Sequence, residues 1–123
     1  MLISEQGYFV LASLQDGPLH GYPMLKRAAE LSGGRVVMAA GTLYAVLDRL
    51  LSAELISLVS ADIVDGRARK TYELTEQGKS ALHDEAARLA AAARVVIERS
   101  EPAAARVLKP RSAPALNTFV APA

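Results

Sequence analysis

The dipeptide Asp65-Gly66 divides residues 55–74 into two runs that are rich in β-branched and alternating apolar residues. Asp-Gly between two such runs favours a tight hairpin turn, because both residues tolerate the positive φ angles that the turn requires. Val59 and Val64 fall out of phase with the alternation of the first run. The pattern nevertheless predicts a two-stranded hairpin in this part of the chain.

Three cations follow the predicted turn, namely Arg67, Arg69 and Lys70. Charged side chains at a hairpin tip are exposed to solvent in any fold. They can simply keep the turn soluble, or they can contact an anionic partner such as the phosphates of a nucleic acid. The formal net charge of the chain is only +1, so any basic surface for nucleic acid must be local.

Apolar residues at three- and four-residue steps predict three short helices before the hairpin. They begin at Ile3, near Pro23 and at Gly41. The first ends at Asp16-Gly17-Pro18 and the second at Ser32-Gly33-Gly34, since Gly and Pro interrupt helices. Between the second and third helices we expect a brief extended segment over residues 35–38.

A longer helix is predicted after the hairpin, with Thr75 as its cap, Glu76 as its first residue and its end near Arg99. A helix of about 24 residues is roughly 36 Å long, more than a small domain can cover. Its apolar stripe can cover the domain core, but we expect it to pair with a second copy in a homodimer. The stripe comprises Leu82, Ala86, Leu89, Ala93 and Val96.

Composition excludes several classes of protein. The chain has no Cys, so it forms no disulfide and no thiolate metal site. No apolar run approaches the roughly 20 residues that span a bilayer, and the first residues lack the basic start of a secretory signal. We therefore expect a cytoplasmic protein.

The predicted order of elements is helix, helix, short strand, helix, hairpin and long helix, which is the order of a winged helix-turn-helix. The expected fold is mainly α with a small β-hairpin wing and a long C-terminal dimerisation helix. We place the DNA-binding domain at residues 1–75, the dimerisation helix at 76–100 and a Pro-containing, irregular tail at 101–123. In such domains the third helix enters the DNA major groove and the wing lies beside it.

Three motifs, in this order, resemble those of the PadR family of transcriptional regulators: Leu19-His20-Gly21-Tyr22, Gly41-Thr42-Leu43-Tyr44, and residues 66–78, GRARKTYELTEQG. The resemblance implies a homodimer that represses transcription at an inverted-repeat operator and that is released, in some relatives, by a small aromatic effector. Two departures are evident. Relatives often have Ser-Pro where this chain has Ala39-Ala40, and this chain has no Trp on which a ligand could stack.

The candidate DNA contacts are on the third helix and the wing: Thr42, Tyr44, Arg49, Arg67, Arg69 and Lys70. Thr42 can instead cap its helix, and Tyr44 can instead pack on the second helix. Lys26, Arg27 and Arg35 can flank the groove, but each alone is a typical surface charge. For an effector, the candidates are Tyr8, Phe9 and Leu89.

Catalysis has little support in the sequence. There is no phosphate-binding loop, no nucleophile with motif context and no set of metal ligands around His20 or His83, so we expect no enzyme activity, no metal and no cofactor. The alternative to a DNA-binding regulator is a winged-helix module that binds proteins and not DNA. Residues 1–75, with seven basic and eight acidic side chains, are the feature that favours this alternative.

Overall fold

The computed structural model describes residues 3–100. Four helices and three strands follow one another as α1 (Glu5–Ser13), β1 (Leu19–His20), α2 (Gly21–Leu31), α3 (Ala40–Ser52), β2 (Ile56–Val64), β3 (Arg67–Leu74) and α4 (Glu76–Ser100). The mainly helical fold with a hairpin wing and a long C-terminal helix is thus confirmed. The described residues fall into two units, the first ending at Ala87 and the second beginning at Arg88. The predicted tail, residues 101–123, lies outside the described residues.

A serine cap sets the start of α1 at Glu5, whereas the sequence predicts Ile3, and the predicted Gly33-Gly34 pair sets the end of α2. The hydroxyl of Ser4 caps α1 by accepting a hydrogen bond from the backbone N–H of Gly7 at 3.0 Å. After α2, Gly33 and Gly34 have φ angles of 64° and 87°, a conformation that glycine adopts without strain. These turns allow α1, α2 and α3 to pack around one core.

The third strand of the sheet is not where the sequence predicts it. Residues 35–38 form no strand, because the backbone N–H of Val36 donates to the hydroxyl of Ser32 at 2.9 Å and the Val36 side chain is buried. Instead, Leu19 and His20 pair antiparallel with Tyr72 and Thr71, which gives the strand order β1-β3-β2. The short strand therefore precedes α2 and does not follow it.

The wing is a hairpin of β2 and β3 joined at Asp65-Gly66, as predicted. Both turn residues have positive φ, 52° and 76°, the sign that a two-residue hairpin turn of the Asp-Gly kind requires. Leu58 pairs with Tyr72 and Ser60 with Thr71, so Val59 is an extra residue in the first strand, a β-bulge. The bulge explains why the alternation of apolar residues breaks at Val59.

The core of the first unit is formed by the three short helices, the base of the wing and the first turns of α4. Its largest fully buried apolar side chains are Val10, Leu11, Met24, Leu43, Val46 and Leu47. Leu82 of α4 joins this core with 3% of its surface exposed. Leu82 therefore covers the domain core, which was the alternative to dimerisation for the apolar stripe of α4. It has little exposed surface left to contact a second copy of the chain.

The start of α4 is fixed by Thr75, as predicted. Its hydroxyl accepts a hydrogen bond from the N–H of Gly78 at 2.9 Å and donates one to the carbonyl of Glu54 at 2.7 Å. The N–H of Thr75 also donates to the carbonyl of Leu55 at 3.1 Å. One residue thus caps α4 and attaches it to the segment that follows α3.

The second unit contains the rest of α4. Every described residue of this unit, 88–100, is exposed, and its large apolar side chains are Leu89, Val95, Val96 and Ile97. Within residues 3–100, no helix is long and apolar enough to cross a membrane.

Candidate nucleic-acid interface

The exposed face of α3 follows from its apolar periodicity. Leu43, Val46, Leu47 and Leu50 are buried, which leaves Thr42, Tyr44 and Arg49 exposed. The N-cap is Ala39, which has no polar side chain and makes no side-chain hydrogen bond to the helix. Thr42 is the third residue of the helix and so is not its N-cap. Its side chain is available to a partner at the helix tip.

Tyr44 is both exposed and in contact with the start of α2. About half of its surface, 49%, is exposed. Its hydroxyl lies 3.2 Å from the point where a Cβ on Gly21 would be. The two interpretations of this residue are therefore compatible, since the ring packs on α2 and still presents a face to solvent.

The phenol of Tyr72, on β3, lies behind this part of α3. Burial raises its pKa above the ordinary value, and the nearby Tyr44 and Asp48 raise it further. Tyr72 is only 4% exposed and belongs to the same buried core as Leu43 and Leu47 of α3.

The wing cations are exposed to solvent. Among residues 3–100, Arg67, Arg69 and Lys70 make no ion pair with a carboxylate. Across the hairpin, Arg69 pairs in register with Asp62 and Lys70 with Ala61. The three positive charges are thus available to an anionic partner.

An open groove of about 480 Å³ lies between the wing and the starts of α2 and α3. One side is lined by His20, Gly21, Tyr22 and Tyr44, and the other by Val64, Asp65, Arg67, Ala68, Arg69 and Lys70. Four of the six candidate DNA contacts therefore line a single concave surface. Thr42 and Arg49 are not among the lining residues, although both are exposed on the same helix.

Sequence reasoning missed Tyr22 and His20 as members of this surface. Tyr22 is 73% exposed at the second position of α2, and His20 is the residue before that helix. Both belong to the Leu19-His20-Gly21-Tyr22 motif, so the signal was present in the sequence. Only the folded chain shows that this motif faces the wing.

Two cations considered as flanks of the groove have carboxylate partners. Arg27 pairs with Asp16 at 2.8 Å, and Arg35 pairs with Glu5 at 2.8 Å. The hydrogen bond from Arg35 lowers the pKa of the Glu5 carboxyl. This pair joins α1 to the segment that leads into α3, so a structural role accounts for Arg35.

The candidate effector and interface residues have the following places. The rings of Tyr8 and Phe9 meet edge to face with centroids 5.2 Å apart, and both side chains are half-buried on α1. Ala86 is half-buried in the first unit. Leu89, Ala93 and Val96 are exposed in the second unit.

Among residues 3–100, no group of three or more His, Asp or Glu side chains could hold a metal ion.

Both the sequence and the fold of this chain are similar to those of known transcriptional regulators. The model of the "Transcriptional regulator PadR-like family" matches residues 10–84. A transcriptional regulator of Mycobacterium tuberculosis is 34% identical over 72% of this chain and 78% of its own length. An uncharacterized protein in a transposon of Streptomyces fradiae is 33% identical over 83% of this chain, which spans only 28% of that protein.

Among solved structures, the crystal structure of Bacillus subtilis PadR in complex with operator DNA is similar, with a TM-score of 0.56 and 29% sequence identity. The match covers 63% of this chain and 44% of the Bacillus chain, so this chain spans less than half of that relative.

Proposed function

This chain belongs to the PadR-like family of transcriptional regulators, and from that membership we propose that it binds operator DNA as a homodimer and represses transcription. Members of this family are regulators of transcription and not enzymes. The proposal concerns what the family assignment leaves open: the residues that meet the duplex, the oligomeric state and the response to an effector.

The observation that carries the proposal is the groove between the wing and the helix starts. Three exposed cations line one side and two exposed tyrosines the other. A DNA backbone is a regular array of phosphates, and cations that neutralise it release condensed counterions. The Bacillus subtilis relative binds operator DNA, which supports the same use of this surface.

The wing cations and the tip of α3 would have different roles in recognition. Arg67, Arg69 and Lys70 would contact phosphates, which position a protein on the duplex without reading its sequence. Thr42 and Tyr44, near the tip of α3, would meet the major groove, where base edges can be distinguished. Arg49, at the other end of α3, would add a flanking contact.

Homodimerisation would follow from an apolar face of α4 that is half-buried at Ala86 and exposed from Leu89 onward. Ala86, Leu89, Ala93 and Val96 recur at three- and four-residue steps, so they share one face of the helix. A second copy related by a two-fold axis would cover this face. Two copies of α3 would then enter successive major grooves about 34 Å apart, and this spacing requires an inverted-repeat operator.

The proposal also includes the binding of an aromatic effector. The half-buried Tyr8 and Phe9 rings offer an aromatic surface on α1. Together with Leu89 they are the residues that we propose for effector binding. An effector would release DNA only if it binds one arrangement of the dimer more tightly than the other.

The test is a titration of a fluorescent duplex taken from upstream of the chain's own coding sequence, against a scrambled duplex, over a range of salt. Replacing Arg67, Arg69 and Lys70 together with Ala should weaken binding to both duplexes. The slope of log affinity against log salt should decrease by about 0.9 for each phosphate that the variant no longer neutralises.

The matched control removes three cations that have carboxylate partners, Arg27, Arg35 and Lys79. Because none of them lines the groove, the control should keep the wild-type slope. Equal losses of affinity in the two triple variants would show that the loss comes from the change in net charge and not from the position of the cations on the wing. A wild-type chain that ignores both duplexes would favour the protein-binding alternative.

A further inference from the structure

We propose that Gly21 is a positioning residue for DNA binding: its missing Cβ admits the Tyr44 hydroxyl against the start of α2 and so sets where Tyr44 meets the duplex. This inference rests on the proposed function, because it assumes that Tyr44 contacts DNA. It adds a residue that makes no contact of its own with the base edges.

The first step is the close approach itself. A Cβ added to Gly21 would lie 3.2 Å from the Tyr44 hydroxyl, 3.8 Å from the Cζ atom that carries it, and 3.8 Å from a methyl group of Leu43. An exposed tyrosine has several staggered rotamers available. The rotamer in the structure directs the hydroxyl end of the Tyr44 ring toward Gly21. The absence of a side chain at Gly21 therefore leaves room for this rotamer of Tyr44.

The second step is that backbone conformation does not explain this glycine. Gly21 is the first residue of α2, and its φ angle is not positive. The glycines with a positive φ angle are Gly17, Gly33, Gly34 and Gly66. Ala would therefore be tolerated by the backbone, and it favours helices by about 1 kcal/mol over Gly in a helix interior. What is restricted at this position is the space for a methyl group beside the Tyr44 hydroxyl.

The third step is the place of Gly21 in the interface. Gly21 and Tyr44 both line the groove that the wing cations close on its other side. A methyl group at Gly21 would meet the flexible end of a half-exposed side chain, while the buried Leu43 is at an ordinary contact distance. The fold can therefore accept Ala by a shift of the Tyr44 ring of a few tenths of an ångström, and that shift moves a proposed DNA contact.

The experiment is a double-mutant cycle with Gly21→Ala, Tyr44→Phe and the double variant, measured on the upstream duplex and the scrambled duplex. Tyr44→Phe removes the hydroxyl that the new methyl group would displace. We expect Gly21→Ala alone to weaken binding to the upstream duplex by about two- to tenfold, the affinity equivalent of one hydrogen bond. In the Tyr44→Phe background, which is itself weakened, the same substitution should have no further effect.

Thermal unfolding of each variant separates positioning from folding. Gly41→Ala is the control, because a Cβ at Gly41 has nothing within 4 Å. Gly21→Ala should unfold within a few degrees of this control. A large loss of stability that Tyr44→Phe does not restore would make Gly21 a folding residue and overturn the inference.

The binding outcomes are equally decisive. If wild type binds the upstream duplex and Gly21→Ala binds it equally well, the inference fails while the proposed function stands. Equal losses of affinity on adding Gly21→Ala to wild type and to Tyr44→Phe would also overturn it, because the two residues would then act independently. A wild-type chain that binds neither duplex refutes the proposed function itself.

Discussion

Gly78, in the first turn of α4, lies directly against the backbone carbonyl of Leu55. A Cβ added to Gly78 would overlap the Leu55 carbonyl oxygen and would lie 2.9 Å from its carbon. Both atoms belong to the backbone, so neither can move aside without shifting the chain between α3 and β2. Together with the hydrogen bonds of Thr75, this contact fixes how the first turn of α4 packs against the segment between α3 and β2.

Gly78→Ala is therefore expected to destabilise the protein, although Ala is the better helix former. Relief of the overlap requires a backbone shift, and such overpacking typically costs about 1–3 kcal/mol of the free energy of unfolding. Chemical denaturation of the variant measures this change. Gly41→Ala, in open space near the start of α3, should be neutral or slightly stabilising. Equal stabilities of the two variants would contradict the packing described for α4.

Thr75→Ala should lower the free energy of unfolding by about 0.5–2 kcal/mol, the usual range for losing an N-cap. The substitution removes the acceptor for the Gly78 N–H and the donor to the Glu54 carbonyl. Thr75→Ser keeps the hydroxyl and should retain most of the stability. Denaturation curves of the two variants give the comparison, and similar destabilisation in both would assign the effect to the methyl group of Thr75.

Ala93→Glu is expected to break the proposed homodimer, since it places a charge on the apolar face of α4. Ala91→Glu makes the same change two residues away, which on a helix is the opposite face. Both residues are exposed, so neither substitution disturbs the core of the first unit. Sedimentation equilibrium should show a monomer for Ala93→Glu and a dimer for Ala91→Glu. A dimer in both cases would place the interface elsewhere.

The burial of Tyr72 predicts a loss of stability in strong base. Its pKa is raised above the ordinary 10.0 by burial first, with Tyr44 and Asp48 adding to the effect. A raised pKa means that the fold favours the neutral phenol. The stabilisation is therefore complete below pH 10 and is lost as the pH rises through the higher folded-state pKa.

The measurement is the free energy of unfolding of wild type minus that of Tyr72→Phe, followed from pH 8 to 11. Phe cannot ionise, so other titrating groups cancel in the difference. The difference should be constant up to about pH 10 and should then change in favour of Phe. A difference that stays constant over the whole range would show that the Tyr72 phenol ionises as easily in the folded state as in the unfolded state.

Most of the fold follows from local chemistry that a sequence records. Asp65-Gly66 can form only a narrow set of turns, and Thr75 is followed by a long segment without Pro, so the wing and the start of α4 were predictable. The short strand of Leu19 and His20 was not. Two residues have no periodicity, and their strand exists only because Tyr72 and Thr71, distant in sequence, supply its hydrogen bonds.

The candidate site likewise has some features that the local sequence predicts and others that depend on the packing of distant residues. Its charged residues are recognisable because a hairpin tip exposes whatever it carries. The assembly of Tyr22, Gly21 and Tyr44 into one surface depends on the packing of α2 on α3, which no local pattern specifies. Leu82 illustrates the reverse difficulty, since an apolar stripe on a helix does not reveal which of its members its own domain will bury.

The pairing of β1 with β3 has an evolutionary consequence. Leu19 and His20 pair with the base of the hairpin and lead directly into Gly21, so the base of the hairpin and the start of α2 are held together. This pairing does not constrain the far end of the hairpin. Insertions at Asp65-Gly66 should therefore lengthen the hairpin without changing the packing of α2, and so enlarge the surface that we propose for DNA binding.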